Sequence, residues 1–341
     1  MSNYNWEIIG HQKISEFLQK SLDNNKISHA YLLAGPEHIG KSLMAKKFIA
    51  TVLCSDYHRN AKIQAEKLPC GQCIFCTQLA KGIHPDVYFL RKEEEKKNIS
   101  VEQVREMQKF LSLTSFLNSY KIALIENAEE MSESAQNALL KVLEEPTKNT
   151  LIILLCPDSN QLLSTIVSRC QLLKFYPVCQ DDIFHYLISL GANREQARLY
   201  STLANGQIGL AINFFKNPEL FTAYLGQAEL FLSNFTLNLV QKFGNLDSML
   251  HDFKDNIEKN SYLLEELKLW ESILRDILMC QQGLTVFLAN LHFQNSLEKI
   301  ASKYSTLGII SFLNQLKQMR KNMTYNNINP RLAVENLVLN F

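Results

Sequence analysis

The stretch Gly35-Pro-Glu-His-Ile-Gly40-Lys41-Ser42, entered from the apolar run His29-Ala-Tyr-Leu-Leu-Ala34, constrains this chain more than any other. Its spacing is that of a phosphate-binding loop, G-x-x-x-x-G-K-[S/T], which needs a strand before it and a helix after it. Gly35 and Gly40 open torsions closed to other residues and let main-chain N–H groups approach a phosphate. A helix beginning near Lys41 aims its free N–H groups and the positive end of its dipole at the same anion. Lys41 is spaced to reach the β- and γ-phosphates, and the Ser42 hydroxyl to complete a magnesium shell. Residues 43–50 carry the helical spacing that the motif requires. A glycine turn that matched by chance would not need these flanks. The stretch therefore predicts ATP or ADP with Mg2+ as ligand.

At 341 residues the chain exceeds one ordinary core, which predicts two or three domains. A net charge of +1 argues against a surface that coats nucleic acid generally, though not against a local basic patch. The longest uninterrupted apolar run, Leu151-Ile-Ile-Leu-Leu-Cys156, is far too short to span a bilayer, so no membrane is expected. The start, Met1-Ser-Asn-Tyr-Asn-Trp6, has no basic region followed by an apolar stretch, and a cytoplasmic location is predicted. In that compartment eight cysteines read as thiols or metal ligands before disulfides.

Along the chain, Trp6 to His11 reads as a turn into an amphipathic helix through Ile14, Leu18 and Leu22. Residues 86–90 read as a strand, 91–97 as a charged solvated loop, and Ser100 caps a helix over 101–111. Residues 121–125 are a short apolar strand. Ser132 caps a helix over 133–145, which Pro146 stops. A strand over 151–155, a helix through 162–167 and a strand over 172–175 follow. Short apolar runs alternating with helices mark a parallel sheet covered on both faces. Beyond Pro177 the strand signal disappears. Helices are read at 181–187, 194–203 and 209–215, and the remainder carries stripes such as Leu263/Leu267/Trp270/Leu274 and Ile309/Leu313/Leu316, which are packing surface.

Three constellations carry chemistry. A phosphate-loop enzyme needs an acid at the end of a neighbouring strand to hold magnesium, beside a group that orients the attacking water. Glu126 fits the first task, but Asn127 is a poor base because its amide does not accept a proton. The pair predicts nucleotide binding with slow hydrolysis or none. Glu129 and Glu130 lie further along and read as the exposed approach to a helix. Arg169 sits on a Ser-Arg-Cys turn; it is either a surface residue or a finger for a neighbouring subunit's γ-phosphate. Cys70, Cys73 and Cys76 are tightly spaced, and Cys54 completes a Cys₄ set for Zn2+. An iron–sulfur cluster is the rival, and His58 or His84 are alternatives to Cys54 as fourth ligand. Cys156, Cys170, Cys179 and Cys280 are scattered structural thiols.

His29-Ala-Tyr-Leu-Leu-Ala-Gly-Pro with Gly40-Lys-Ser42, Pro69-Cys-Gly-x-Cys-x-x-Cys76, His84-Pro-Asp-Val87, Asn137-Ala-Leu-Leu-Lys-Val-Leu-Glu-Glu-Pro146 and Thr165-Ile-Val-Ser-Arg-Cys170 occur in order. Together they resemble the bacterial DNA polymerase III clamp-loader AAA+ family, on its delta-prime branch. The likeness is dense from Trp6 to Phe175 and returns in the ending Asn327-Ile-Asn-Pro-Arg-Leu-Ala-Val-Glu-Asn-Leu-Val-Leu339. It implies an α/β AAA+ nucleotide domain over residues 1–177 with a zinc module at about 54–76. A helical lid over 178–216 and a helical collar for oligomerisation over 217–341 would follow. It also implies a five-subunit ring with delta and gamma/tau subunits that opens the sliding clamp and places it on primed DNA using ATP. By position Lys41 and Ser42 match the Walker A residues and Glu126 the Walker B acid. Arg169 matches the arginine finger presented to the adjacent subunit, and Ile8, Ile9 and Gly10 the lining of the adenine pocket.

Several departures qualify that likeness. Asn127 stands where a hydrolysing subunit carries glutamate, Cys156 where motor subunits carry a polar sensor, and Leu210 near their sensor arginine. The interval from Cys54 to Cys70 is longer than the family's usual one. These departures favour a nucleotide-binding stator over an active ATPase motor of the same ring. A stand-alone phosphate-loop kinase or repair ATPase would need its own base and substrate pocket, and no pair of titratable residues suggests either. The helix over 101–111, with Arg105 and Lys109, is either a DNA-facing element or an ordinary solvent-facing helix.

Overall fold

The computed structural model describes residues 4–59, 67–93, 96, 98–116, 120–251, 253, 255–325 and 328–339. Met1 to Asn3, parts of the charged loop 91–97, Asn327 and the side chain of His58 lie outside the described residues. The chain divides into two compact units. One runs to Tyr186 and takes back Gly206–Leu210; the other comprises Leu187–Asn205 and the chain from Ala211 onward.

The first unit is built on a parallel sheet of five strands in the order β2-β3-β4-β1-β5. They are β1 (Ala30–Ala34), β2 (Val87–Leu90), β3 (Lys121–Ile125), β4 (Thr150–Cys156) and β5 (Gln171–Lys174). Every residue of β1, β3 and β4 is buried, as parallel strands covered on both faces must be. Alternation divides the side chains between the two faces. Ala30, Leu32, Ala123, Ile125, Ile152 and Leu154 pack with Val104, Met107 and Leu111 of α5 (Val101–Ser112) and Leu139 and Leu143 of α6 (Glu133–Glu144). On the opposite face Tyr31 meets Phe48 of α2 (Lys41–Leu53) edge-on at 5.4 Å, and Phe48 meets Trp6. α1 (Gln12–Asp23) packs against α2, and so does the short α4 (Ile74–Ala80), while α3 (Ser55–Arg59) follows α2 directly.

Capping fixes the helix starts as expected. Ser100 accepts a hydrogen bond from the Gln103 amide (3.3 Å), and the Gln103 side chain accepts one from the Ser100 amide (3.0 Å). This reciprocal box is worth about 1 kcal/mol. Ser132 accepts from the Ala135 amide (3.2 Å) at the start of α6. The helix expected through 162–167 is present as the single turn α7 (Ser164–Val167), preceded by a 3-10 turn, Ser159–Gln161. The Asp158 carboxylate captures the Asn160 amide, and Gln136 Oε1 captures that of Leu163. Leu163 is therefore the residue before the helix, which begins at Ser164. α8 (Gln180–Ser189) closes this stretch of chain.

The second unit is helical among the described residues. It holds α9 (Arg194–Leu203), most of α10 (Ile208–Lys216), α11 (Pro218–Ser233), α12 (Leu239–Leu250) and α13 (Asn256–Gln281). α14 (Gln294–Lys303), α15 (Thr306–Tyr325) and α16 (Pro330–Leu339) complete it. α13 is the axis of this core and packs against α11, α14, α15 and α16. The stripe Leu263, Leu267, Trp270 and Leu274 is buried along it, and Phe231 stacks on Trp270 with ring centroids 4.6 Å apart.

Candidate nucleotide site and cysteine cluster

In open parallel sheets ligands bind beyond the carboxyl ends of the strands. The phosphate loop leaves β1 there, Glu126 follows β3 and Cys156 ends β4, so the parallel register brings them to one edge. The Gly35 amide donates to the Cys156 carbonyl (3.1 Å), extending the β1–β4 ladder into the loop. Gly35 has no room for a side chain: a Cβ there would lie 2.5 Å from the Phe175 carbonyl oxygen. Gly40 has φ +106°, and the space where its Cβ would stand is open. α2 begins without a side-chain cap, which leaves its first amides free for an anion. Lys41 Nζ donates to the carbonyl oxygens of Gly35 and Pro36, and burial pulls its pKa below the ordinary lysine value. Ser42 follows on the first turn, half-buried. The open cradle, uncapped amides and inward lysine fit a nucleotide phosphate.

Glu126 is held by Arg91, whose Nε lies 2.7 Å from Oε2 and whose second nitrogen donates to Oε1 at 3.1 Å. Lys46 Nζ stands 3.8 Å away. The next residue, Asn127, adopts the left-handed conformation (φ 52°, ψ 57°) and starts the 3-10 turn Ala128–Glu130. That turn draws Glu129 inward and does not leave it as an exposed approach to a helix. Glu129 is half-buried, and its Oε2 is buried with no hydrogen-bond partner. Burial pushes its carboxyl up to about 7, and Lys41 opposes the shift. Cys156 is buried, and its thiol is pushed up to about 12, chiefly by desolvation, so it is inert at neutral pH.

Ile8, Ile9 and Gly10 are half-buried on the chain entering α1. A Cβ on Gly10 would meet Val178 at 3.0 Å. His11 was not singled out from the sequence. Its Nε2 lies 3.1 Å from the Ile39 carbonyl in the phosphate loop, and its ring packs on Phe175 at 4.6 Å. Burial lowers its pKa, so the ring is neutral and supports the loop without adding charge. The Gly209 amide donates to the His38 carbonyl (2.7 Å) and ties the start of α10, one residue before Leu210, to the same loop. No sequence pattern announces either contact.

Arg169 is not brought to this site. It precedes β5, whereas the phosphate loop follows β1, and the two strands run parallel with Tyr31 opposite Gln171 and Ala34 opposite Lys174. At ~3.3 Å per residue that places it roughly 15–20 Å down the sheet from the loop. Its guanidinium pairs with Glu144 (2.8 Å) and donates to the Thr165 carbonyl (3.0 Å).

The four cysteines predicted as ligands do converge. The Sγ atoms of Cys54, Cys70, Cys73 and Cys76 lie within 4.8 Å of one another, and those of Cys70 and Cys76 are 4.0 Å apart. Tetrahedral zinc with sulfur at ~2.3 Å requires separations of about 3.8 Å, so the cluster fits the ion. Cys54 comes from the C-terminal end of α2 and Cys73 from the N-cap of α4. Main-chain amides of Cys73 and Cys76 donate to the sulfurs of Cys70 and Cys73 (3.3 and 3.4 Å), an arrangement that stabilises thiolates. The bond shared with Cys76 holds the Cys54 thiol below the ordinary cysteine value. His84 is not among them: its Nδ1 accepts from the Asp86 amide (3.0 Å), and its ring sits against Phe75. Helix α5 carries Arg105 and Lys109 outside its buried stripe of Val104, Met107 and Leu111.

Comparison with known proteins agrees with this layout. A family described as "DNA polymerase III, delta subunit" matches residues 10–179, and its C-terminal counterpart matches residues 229–341. The DNA polymerase III subunit delta' of Pseudomonas aeruginosa is 45% identical over 143 residues, 42% of this chain and 42% of that relative's length. The Bacillus subtilis subunit delta' is 26% identical over 96% of this chain and 94% of its own. A solved gamma subunit-related protein of Thermotoga maritima overlaps with a TM-score of 0.41 at 17% identity, covering 94% of this chain and 97% of that one. With the two family matches in order along most of its length and delta' relatives spanning both, the chain belongs to the DNA polymerase III delta-prime subunit family.

Proposed function

We propose that the chain is a delta-prime-type subunit of a clamp loader, working in a ring with delta and gamma/tau subunits that opens the sliding clamp on primed DNA. In this reading it is a stator with three AAA+ parts, a nucleotide domain, a lid and a collar. Lys41, Ser42 and the loop glycines hold ATP or ADP with Mg2+, beside an adenine pocket at Ile8, Ile9 and Gly10. Glu126 serves as the magnesium acid after releasing Arg91, and Zn2+ braces the module of Cys54, Cys70, Cys73 and Cys76. Arg169 acts on the adjacent subunit's nucleotide. DNA is met through the complex, and the protein works in the cytoplasm.

One observation carries the reading: Asn127 stands where a base would be needed, while Arg169 stands at the far edge of the sheet from its own loop. Such a chain is ill equipped to hydrolyse its own nucleotide and well placed to help a neighbour. The test is steady-state ATPase of the reconstituted ring with clamp and primed DNA. Arg169→Ala is expected to lower turnover by on the order of tenfold or more, since finger arginines contribute about 10³ at a single site. Lys41→Ala is expected to change it less than twofold. A large loss from Lys41→Ala, with turnover by the isolated wild-type chain, would make this subunit a motor instead.

A further inference from the structure

The carboxyl of Glu129 has no task in the function above. It lies on the turn after β3, at the strand end that in phosphate-loop sites faces the γ-phosphate and the attacking water. That turn packs against β4, which ends on Cys156 beside the loop. Oε2 is buried and unpartnered. The groups that act on the carboxyl are Lys41 from α2, Glu37 from the phosphate loop, Glu130 from its own turn and the Cys156 thiol at the end of β4. Lys92 neutralises Glu130 at 3.0 Å, but Lys41 gives its protons to loop carbonyls and makes no hydrogen bond to Glu129. A second acid, Glu37, stands on the loop itself. A buried carboxyl set against the loop lysine offsets the charge that a γ-phosphate would meet there.

We propose that Glu129 selects the nucleotide: its carboxyl stands at the γ-phosphate end of the loop, so the site holds a diphosphate in preference to a triphosphate and admits the triphosphate together with a proton. The inference rests on the nucleotide-binding reading above. An ionised Glu129 repels the terminal phosphate, whereas the neutral acid can donate to a phosphate oxygen. The proton comes from solvent, and only the carboxyl O–H bond forms. A diphosphate ends short of this carboxyl and is indifferent to its charge. With the carboxyl at about 7, the protonated share falls steeply above neutrality.

Calorimetric titration of the full chain with MgADP and MgATP at pH 6.5 and 8.5, in buffers of different ionisation heat, tests this. Wild type is expected to bind MgATP on the order of tenfold more weakly at pH 8.5 than at 6.5, from the change in protonated fraction. About half a proton should be taken up per MgATP at neutrality, rising towards one by pH 8.5, while MgADP binding stays flat. Glu129→Gln is expected to bind MgATP with no pH dependence and with the affinity of wild type at low pH. A wild-type MgATP/MgADP ratio that does not move with pH, or one that Glu129→Gln leaves unchanged at pH 8.5, overturns the proposal and leaves nucleotide binding standing. Binding of neither nucleotide to wild type overturns the nucleotide reading and this inference with it. The wild-type pH series needs no variant, so a folding defect in Glu129→Gln cannot mask the answer.

Discussion

At Asn127 the backbone adopts φ 52° and ψ 57°, and asparagine is one of the few side chains that tolerate this conformation. The residue therefore answers to the turn before it answers to catalysis. Asn127→Gly should leave stability within about 0.5 kcal/mol, whereas Asn127→Val should cost about 1–2 kcal/mol, because a branched Cβ crowds the backbone there. Urea unfolding distinguishes them, and equal losses would mean that the turn does not impose this geometry. Glu129 was illegible in the sequence for the same reason. Four residues beyond a strand it reads as exposed, and only the left-handed step at Asn127 turns it inward. Lys41 and the loop glycines were legible, because their spacing encodes a backbone shape directly. Arg91 on Glu126 was not: the two are 35 positions apart and meet only because β2 and β3 lie side by side.

Among the elements, the central strands β1, β3 and β4 were the easiest to read, since burial on both faces writes them as largely apolar runs. Residues 121–125 are β3 as expected, and 151–155 lengthen by one at each end into β4. The helix expected through 162–167 starts two residues late, at Ser164, with the Leu163 amide held by the Gln136 side chain, which no periodicity reports. Within α13 the apolar stripe was legible but Glu266 was not singled out. It is 3% exposed, its Oε2 has no partner, and burial pushes its carboxyl up to about 7. A carboxyl raised in the folded state binds its proton more tightly there than in the unfolded chain. Its stabilising effect is complete below the unfolded value near 4.5 and is lost as pH rises to about 7. The loss is about 3 kcal/mol, and Glu266→Gln should abolish that dependence and unfold at higher urea than wild type at pH 8. An unchanged pH profile would place the titration elsewhere. The cysteine module makes a separate prediction. The purified chain should carry one zinc, and Cys54→Ser should fall well below one by metal analysis. Full retention would return His58 or His84 as the fourth ligand, and iron with visible absorption would return the cluster.

At the scale of the whole molecule, each unit holds a hydrophobic cluster of its own. The sheet-side cluster of α5 and α6 with the strands lies wholly in the first, and the α13 cluster wholly in the second. Ligand and mutation should then act on different unfolding transitions. MgADP at one hundred times its dissociation constant adds about 2.7 kcal/mol to whatever cooperative unit holds the loop. For a unit of this size each kcal/mol moves the midpoint by roughly 2–4 °C, so one calorimetric transition should rise by about 5–10 °C. Leu267→Ala, which empties a fully buried position on α13, should lower the other by the equivalent of about 2–5 kcal/mol. MgADP should not rescue that loss, because the stabilised unit is not the damaged one. A single transition that shifts as a whole with either perturbation would mean that the two cores unfold together. In that case nucleotide at the loop would stabilise α13 as strongly as it stabilises the sheet, and the helical unit would be energetically coupled to the loop.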